Sequence, residues 1–66
     1  MNRLRETRLN SGETQVDLAE RIGVNQNTIS SYELERSVPS LAVAKRLAKH
    51  YGRTVEFLFP TKGEKR

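Results

Sequence analysis

The sequence predicts an all-α domain built from five short helices. Apolar residues recur at spacings of three and four, which is the pattern of a helix with one buried face. Long stretches in which apolar and polar residues alternate, as in a half-buried strand, are lacking. The 66 residues leave room for one compact domain. Glycine and proline residues divide the chain into short segments, at Gly12, Gly23, Pro39, Gly52 and Pro60.

The first two helices are predicted over residues 2–9 and 15–22. The Asn-Ser-Gly sequence at 10–12 ends the first helix. Thr14 is expected to cap the second helix, because Asp17 follows three residues later, as in a capping box. The residues of the second helix that are available to the core are Val16, Leu18, Ala19 and Ile22.

The third and fourth helices follow from the same kind of local pattern. Gly23 ends the second helix, since glycine accepts the positive φ angle of that position. Asn25 is expected to cap a third helix over residues 26–34. A fourth helix is predicted to start in the Pro-Ser sequence at 39–40 and to end at Tyr51.

A short fifth helix and a polar tail complete the chain. Thr54 is expected to cap a helix over residues 55–59, and Pro60 ends it. We therefore expect one domain over residues 1–60, followed by a polar C-terminal tail at 61–66.

The composition excludes several classes of protein. Without cysteine there is no disulfide framework and no Cys-based zinc site, and one histidine cannot form a His-rich metal site, so we expect no metal and no cofactor. The spacing of His50 and Asp17 does not favour a Ser-His-Asp triad, and we expect no enzyme activity. No apolar run approaches the roughly 20 residues of a membrane span. The N-terminus is too polar for a signal peptide, and we expect a cytoplasmic location.

The charge balance is compatible with a polyanionic partner. Twelve Lys and Arg residues against eight Asp and Glu residues give a net charge of +4. Such a charge attracts nucleic acid, but small domains also carry a few charges for solubility, so charge alone leaves both interpretations open. Lys45, Arg46 and Lys49 are expected to form a solvated face of the fourth helix rather than a DNA patch, and we expect no specific role for His50.

Residues 15–34 meet the physical requirements of a helix-turn-helix. Two helices joined by a tight turn need a small residue where they cross, which is Ala19. The turn needs a residue that tolerates positive φ, which is Gly23. Apolar residues from both helices must fix the angle between them, and those available are Leu18, Ile22, Val24, Ile29 and Tyr32.

The chain resembles the Cro/C1-type, or XRE, family of helix-turn-helix domains over about residues 3–59. The family's Thr-Gln opening of helix 2 is present at 14–15, and its Ile-Ser-x-Tyr-Glu stretch at 29–33. Its Pro-Ser opening of helix 4 is present at 39–40, and its C-terminal Leu-Phe pair at 58–59. The resemblance implies a lambda-repressor-like fold in which helix 3 is the recognition helix and enters the major groove of DNA.

Four residues and the composition of one loop depart from the family pattern. Glu35 stands where glycine is common, and Arg36 is the one basic residue in a loop that is usually basic, so fewer phosphate contacts are expected there. Thr7 and Glu13 stand where Leu-like residues are usual, so we expect a thinner core between the first two helices. Arg53 replaces a usual valine.

The exposed polar residues of helix 3 are the predicted base readers. Gln and Asn can form two hydrogen bonds with adenine, a Thr methyl can contact thymine, and Ser can contact either base. Ile29 and Tyr32 are expected to face inward, and the remaining outward positions include Ser30. The base-contacting residues that the resemblance implies are Gln26, Asn27, Thr28 and Ser31.

Phosphate contacts are predicted around that helix. The starts of helices 2 and 3 present backbone N–H groups to an anion, and Arg36 follows helix 3. The resemblance also implies an ion pair between Arg8 and Glu33 near the DNA backbone, which has a structural role as well. The predicted phosphate-contacting residues are Thr14, Gln15, Asn25, Arg8 and Arg36.

The predicted function is that of a sequence-specific repressor that binds double-stranded DNA as a homodimer. One recognition helix reads about four base pairs, so two copies on a palindromic operator are needed to select a site. The predicted dimer residues are Phe57, Phe59, Val55 and Val38, and core packing remains the alternative for the two phenylalanines. Two other functions stay open: an antitoxin that also binds a toxin or other protein partner, and an interaction module that has lost DNA binding.

Overall fold

The computed structural model describes residues 2–60, which form five α-helices and no strand. The predicted all-α class and the five helices are confirmed. The predicted tail at 61–66 lies outside the described residues. The helices are α1 (Leu4–Asn10), α2 (Gln15–Ile22), α3 (Gln26–Glu33), α4 (Leu41–Tyr51) and α5 (Val55–Leu58).

Side-chain caps define the starts of α2 to α5. In each case the residue before the helix accepts a hydrogen bond from the backbone N–H three residues later, which satisfies a group that the helix itself leaves unpaired. The predicted capping box is confirmed, since Asp17 Oδ2 also accepts from the backbone N–H of Thr14 at 3.0 Å. That hydrogen bond lowers the pKa of Asp17. The capping residues are Thr14, Asn25, Ser40 and Thr54.

The first helix begins two residues later than the sequence predicts. Asn2 lies before α1, where its side-chain oxygen accepts from the backbone N–H of Leu4 at 3.1 Å. Its side-chain nitrogen donates to the carbonyl of Tyr32 at the end of α3, 2.8 Å away. The backbone N–H of Arg3 donates to the carbonyl of Leu58 at 2.9 Å. These contacts join the N-terminal segment to α3 and α5, which explains why it does not continue α1.

Each of the five helices contributes one fully buried side chain to the core. The prediction that Val16 belongs to this core is wrong, because 45% of its surface is exposed. Val16 lies two positions before Leu18, so the helical period of 3.6 residues places the two side chains on opposite faces of α2. The five fully buried residues are Leu4, Leu18, Ile29, Leu47 and Leu58.

The turn between α2 and α3 is closed by glycine and supported from α4. Gly23 has a φ angle of 90°, a left-handed conformation that side chains with a Cβ rarely adopt, and its N–H donates to the carbonyl of Ala19 at 2.8 Å. Arg46 Nη1 donates to the carbonyl of Ile22 at 2.9 Å. Arg46 is exposed, as expected for a solvated face of α4, but its guanidinium also stabilises the end of α2.

Candidate nucleic-acid interface

The outer face of α3 presents short polar side chains. Ile29 and Tyr32 are buried beneath the helix, as predicted, and this orients the opposite side toward solvent. Gln26 and Asn27 are exposed, and Ser31 is half-buried. These amide and hydroxyl groups form directional hydrogen bonds, which is the chemistry needed to distinguish base edges.

Thr28 and Asn25 are bonded to each other at the start of α3. Asn25 Oδ1 accepts from the backbone N–H of Thr28 at 2.9 Å and from its hydroxyl at 3.0 Å. The side-chain oxygen of Asn25 is thus used as the helix cap. Thr28, a predicted base reader, is half-buried, and Asn25, a predicted phosphate contact, is exposed.

A chain of polar contacts connects the starts of α2 and α3. Gln26 Nε2 lies 3.4 Å from Gln15 Oε1, and Gln15 Nε2 donates to Glu33 Oε1 at 3.0 Å. The structure therefore brings a predicted base reader and a predicted phosphate contact together. Gln15 thus lies between Gln26 and Glu33 and contacts both side chains.

Arg8 and Glu33 form the ion pair that the family resemblance implies. Arg8 Nε lies 2.7 Å from Glu33 Oε2, Nη2 lies 3.2 Å from Oε1, and the two side chains are 8% and 3% exposed. Arg8 Nη1 donates to the carbonyl of Glu13 at 2.8 Å. The hydrogen bond with Glu33 raises the pKa of Arg8. Since all three guanidinium nitrogens are bound to protein, the geometry favours a structural role for Arg8 over a phosphate contact.

A polar cluster that the sequence reasoning missed joins α4 to the loop before α2. Glu13 Oε2 lies 2.6 Å from His50 Nε2, and Tyr51 Oη donates to Glu13 Oε1 at 2.7 Å. Burial raises the pKa of the Tyr51 phenol, and the Glu13 hydrogen bond raises it further. The expectation that His50 has no specific contact is wrong. Two features of the sequence could have indicated this cluster. One is the acid Glu13 at a position that is usually apolar, and the other is the pair of adjacent polar rings on α4, His50 and Tyr51.

The loop after α3 combines a strained residue with an exposed arginine. Glu35 has a φ angle of 61°, the left-handed conformation that explains why glycine is common here, and its carboxylate accepts from the backbone N–H of Asn2. A non-glycine residue in this conformation costs about 1–2 kcal/mol. Arg36 is exposed, and its backbone N–H donates to the carbonyl of Ser31 at 2.9 Å. The predicted phosphate contact Arg36 is thus directly attached to the last turn of α3.

Three of the four predicted dimer residues line one apolar groove. The groove encloses about 630 Å³ between the loop after α3 and α5, and its walls include Val38, Val55 and Phe59. Val38 is 85% exposed, and Leu41 on the same groove is 65% exposed. The groove is therefore a substantial apolar surface that the domain itself does not cover.

Phe57 lies apart from the groove. The guanidinium carbons of Arg3 and Arg53 lie 5.0 Å and 4.5 Å from the centre of its ring, at cation–π distance. Arg3 Nη1 also donates to the carbonyl of Phe57 at 2.8 Å. Phe57 and Phe59 are both half-buried and pack against the core, so the structure supports the alternative of core packing for both, although Phe59 also lines the groove. The ring of Phe57 is also the contact partner of Arg53, the residue that replaces the valine usual in the family.

No group of three or more acidic, histidine or cysteine side chains within residues 2–60 is arranged to hold a metal ion. None of the five helices described is long and apolar enough to cross a membrane.

Comparison with known proteins places this geometry in a family. The helix-turn-helix family profile matches residues 4–58. An uncharacterized HTH-type transcriptional regulator of Methanothermobacter thermautotrophicus is 48% identical over 50 residues, which cover 76% of this chain and 72% of the relative. One of Archaeoglobus fulgidus is 39% identical over 57 residues, covering 86% and 81%. The regulator YgzD of Bacillus subtilis is 33% identical over 58 residues, covering 88% of both chains. The chain therefore belongs to the Cro/C1-type helix-turn-helix family of DNA-binding transcriptional regulators.

Proposed function

We propose that the protein is a sequence-specific repressor that binds a palindromic operator as a homodimer, with α3 in the major groove. The observation that carries this proposal is the outer face of α3. Gln26 and Asn27 are exposed and Thr28 and Ser31 are half-buried on this face, while Ile29 and Tyr32 fix the opposite face in the core. Such a rigid helix with directional polar groups is suited to enter the groove and read base edges.

Gln26, Asn27, Thr28 and Ser31 are the proposed base readers. Each well-formed pair of hydrogen bonds to a base contributes about 1–3 kcal/mol of discrimination against the wrong base. The contact between Gln15 and Gln26 supports this role for Gln26, because an ordered side chain loses less conformational entropy on binding. The absence of arginine from α3 favours half-sites that contain A·T pairs.

The proposed phosphate contacts surround these readers. The N-termini of α2 and α3 offer backbone N–H groups and the positive ends of helix dipoles, beside Thr14, Gln15 and Asn25. Arg36 adds a full positive charge at the other end of α3, where it is exposed. Arg8 contributes from beneath, by holding Glu33 and thereby the position of Gln15.

The groove supports the homodimer. A single α3 reads about four base pairs, so a second copy doubles the site and makes it palindromic. A second copy placed on Val38, Leu41 and Phe59 would cover apolar surface that is otherwise in water. The dimer would repress by occupying promoter DNA.

Selection of binding sites from random duplex DNA tests the proposal. We expect one enriched palindrome, and an affinity for it that falls steeply between two salt concentrations because bound phosphates release counterions. Gln26→Ala should relax the preference at one base position in each half-site, whereas Arg36→Ala should weaken binding to all sequences alike and reduce the salt slope by about 1.

Lys45→Ala is the matched control for Arg36→Ala. It removes the same charge from an exposed position on α4, away from the proposed contacts, and should leave the salt slope nearly unchanged. Absence of any enriched site at low salt would disprove sequence-specific binding. If Gln26→Ala and Arg36→Ala give the same effect on all sequences, the separation into base readers and phosphate contacts is wrong.

A further inference from the structure

The loop between α1 and α2 is anchored to the rest of the domain through one side chain. Of its residues, Ser11, Gly12 and Thr14 are exposed, whereas the Glu13 side chain is only 17% exposed. Its carboxylate binds His50 at 2.6 Å and Tyr51 at 2.7 Å, both in the last turn of α4. Glu13 therefore ties a solvent-exposed loop to the longest helix described in the domain.

The backbone of the same residue is bonded to Arg8. The N–H of Glu13 donates to the carbonyl of Arg8 at 3.2 Å, and its carbonyl accepts from Arg8 Nη1 at 2.8 Å. Arg8 in turn holds Glu33, and Glu33 accepts from Gln15. An unbroken series of contacts thus runs from the end of α4 to the start of α2.

We propose that Glu13 is a positioning residue for DNA binding. By fixing the loop to α4, it sets the position of the α2 N-terminus, where Thr14 and Gln15 are expected to contact phosphate. It also presents the carbonyl that orients Arg8 beneath Glu33. This inference rests on the proposed DNA-binding function and adds a residue to it that does not itself touch DNA.

The buried contacts of the Glu13 carboxylate hold the loop more firmly than its exposed backbone could. A carboxylate that accepts two side-chain hydrogen bonds in a largely water-excluded place is held more firmly than an exposed loop backbone. If these hydrogen bonds are lost, the loop keeps its backbone contacts with α1, the hydrogen bond from Arg8 Nη1 to the Glu13 carbonyl and the capping box of α2, but no contact of this carboxylate with α4. The N–H groups at the start of α2 then present a less defined site, and part of the phosphate affinity is lost as the loop becomes ordered on binding.

Glu13→Ala is the first test variant. We expect its affinity for the selected operator to fall roughly tenfold, and its affinity for unrelated duplexes to fall by a similar factor, because phosphate contacts carry no sequence information. The salt slope and the base preference should both stay nearly unchanged, because Glu13→Ala removes neither a cation that neutralises phosphate nor a base reader.

Glu13→Gln and Tyr51→Phe sharpen the test. The amide oxygen of glutamine can still accept from Tyr51, and its nitrogen can donate to His50 Nε2. Glu13→Gln should therefore bind DNA within about threefold of the wild-type affinity. Tyr51→Phe removes the partner hydroxyl from the other side. Glu13→Ala and Tyr51→Phe each break the same hydrogen bond. The double variant should therefore lose less affinity than the sum of the two single losses.

Thr54→Ala separates positioning from general stability. It removes the cap of α5, away from the loop, and lowers the melting temperature without touching the contacts of Glu13. Because Val55 and Phe59 beside this cap line the proposed dimer groove, sedimentation must first show that Thr54→Ala assembles as the wild type does. Measured under those conditions and well below its melting temperature, it should bind DNA as the wild type does. If Glu13→Ala binds as tightly as the wild type, this inference is wrong but the proposed function stands. The same holds if Thr54→Ala loses as much affinity as Glu13→Ala does. A wild-type protein that binds no duplex at all overturns the proposed function and this inference with it.

Discussion

At the scale of single residues, the buried guanidinium of Arg8 holds Glu33 at the end of α3, and Glu33 in turn bonds Gln15. The side chain of Arg8 is 8% exposed and that of Glu33 is 3% exposed, so neither charge is solvated by bulk water. Removing one member of such a pair leaves an uncompensated buried charge, which typically costs 3–5 kcal/mol. For a domain of this size that cost approaches the whole free energy of unfolding.

Substitution of the two partners, singly and together, tests this dependence. We expect Arg8→Met and Glu33→Leu each to destabilise the domain by about 3 kcal/mol or more. The double variant should be more stable than the sum of the single losses predicts, by about 1 kcal/mol or more, because no unpaired charge remains. Urea unfolding in a stabilising osmolyte measures all four proteins. Strictly additive losses would show that the pair contributes no coupling.

The sequence predicted those residues whose partners are near in the chain. Thr14 and Asn25 each cap a helix through a backbone N–H three residues on, so a local pattern is sufficient to recognise them. The contacts of His50 with Glu13, and of Phe57 with Arg53 and Arg3, depend on how the helices pack. Apart from the unusual acid at position 13, the sequence carries little local information on these arrangements, and the sequence analysis missed them.

At the scale of elements, the helix-turn-helix angle depends on α4 as well as on its own two helices. Arg46 crosses from α4 to the carbonyl of Ile22, one of the backbone groups that the end of α2 leaves unpaired. Its positive charge also opposes the negative end of the α2 dipole. Gly23 follows directly, so the arginine stabilises α2 at the point where the chain turns toward α3.

Arg46→Ala should therefore lower stability more than an ordinary surface substitution. We expect a loss of about 1 kcal/mol, because a charge-assisted hydrogen bond is removed, and a melting temperature lower by about 5 °C. Lys45→Ala changes the neighbouring exposed residue of α4 and serves as the control, with an expected change within about 0.5 kcal/mol. Calorimetry of both variants decides the matter, and equal melting temperatures would contradict this role of Arg46.

Element boundaries show where local patterns stop being sufficient. Residues 15–22 were predicted correctly as α2 because both ends carry specific residues, the capping box and a glycine. The start of α1 was wrong by two residues, because Asn2 forms hydrogen bonds with residues of α1 and α3 instead of extending the helix. Val16 was misassigned to the core for a related reason: its neighbours on the helix, not its own type, determine which face it occupies.

At the scale of the whole molecule, the groove beside α5 and the outer face of α3 divide the surface by chemistry. The groove is lined mainly by aliphatic and aromatic residues, such as Val55 and Phe59, whereas the face of α3 carries amides and hydroxyls. Apolar surface is suited to a protein partner and directional polar surface to base edges. Of the predicted dimer residues, Val38, Val55 and Phe59 line the groove and Phe57 lies apart from it, while the predicted base readers lie on α3.

Val38→Glu tests the use of the groove by a second copy. Val38 is 85% exposed, so the charge should not disturb the fold, but it would be buried in a dimer at an unfavourable cost. We expect sedimentation to show a shift toward monomer and operator affinity to fall at least tenfold. Leu9→Glu is the control, since Leu9 is also exposed and apolar but does not line the groove. If both variants assemble like the wild type, the groove is not the dimer interface.

The hydrogen bond between the backbone of Arg3 and the carbonyl of Leu58 has a practical consequence for engineering. It places both ends of the folded domain side by side, next to Tyr32 in the last turn of α3, while Gln26 lies roughly 9 Å further along that helix. The two ends of the described part of the chain therefore lie at one corner of the domain, away from the first turn of α3. Two copies joined in tandem through a Gly/Ser linker would meet at an effective concentration in the millimolar range, which turns pairing on an operator into an intramolecular step.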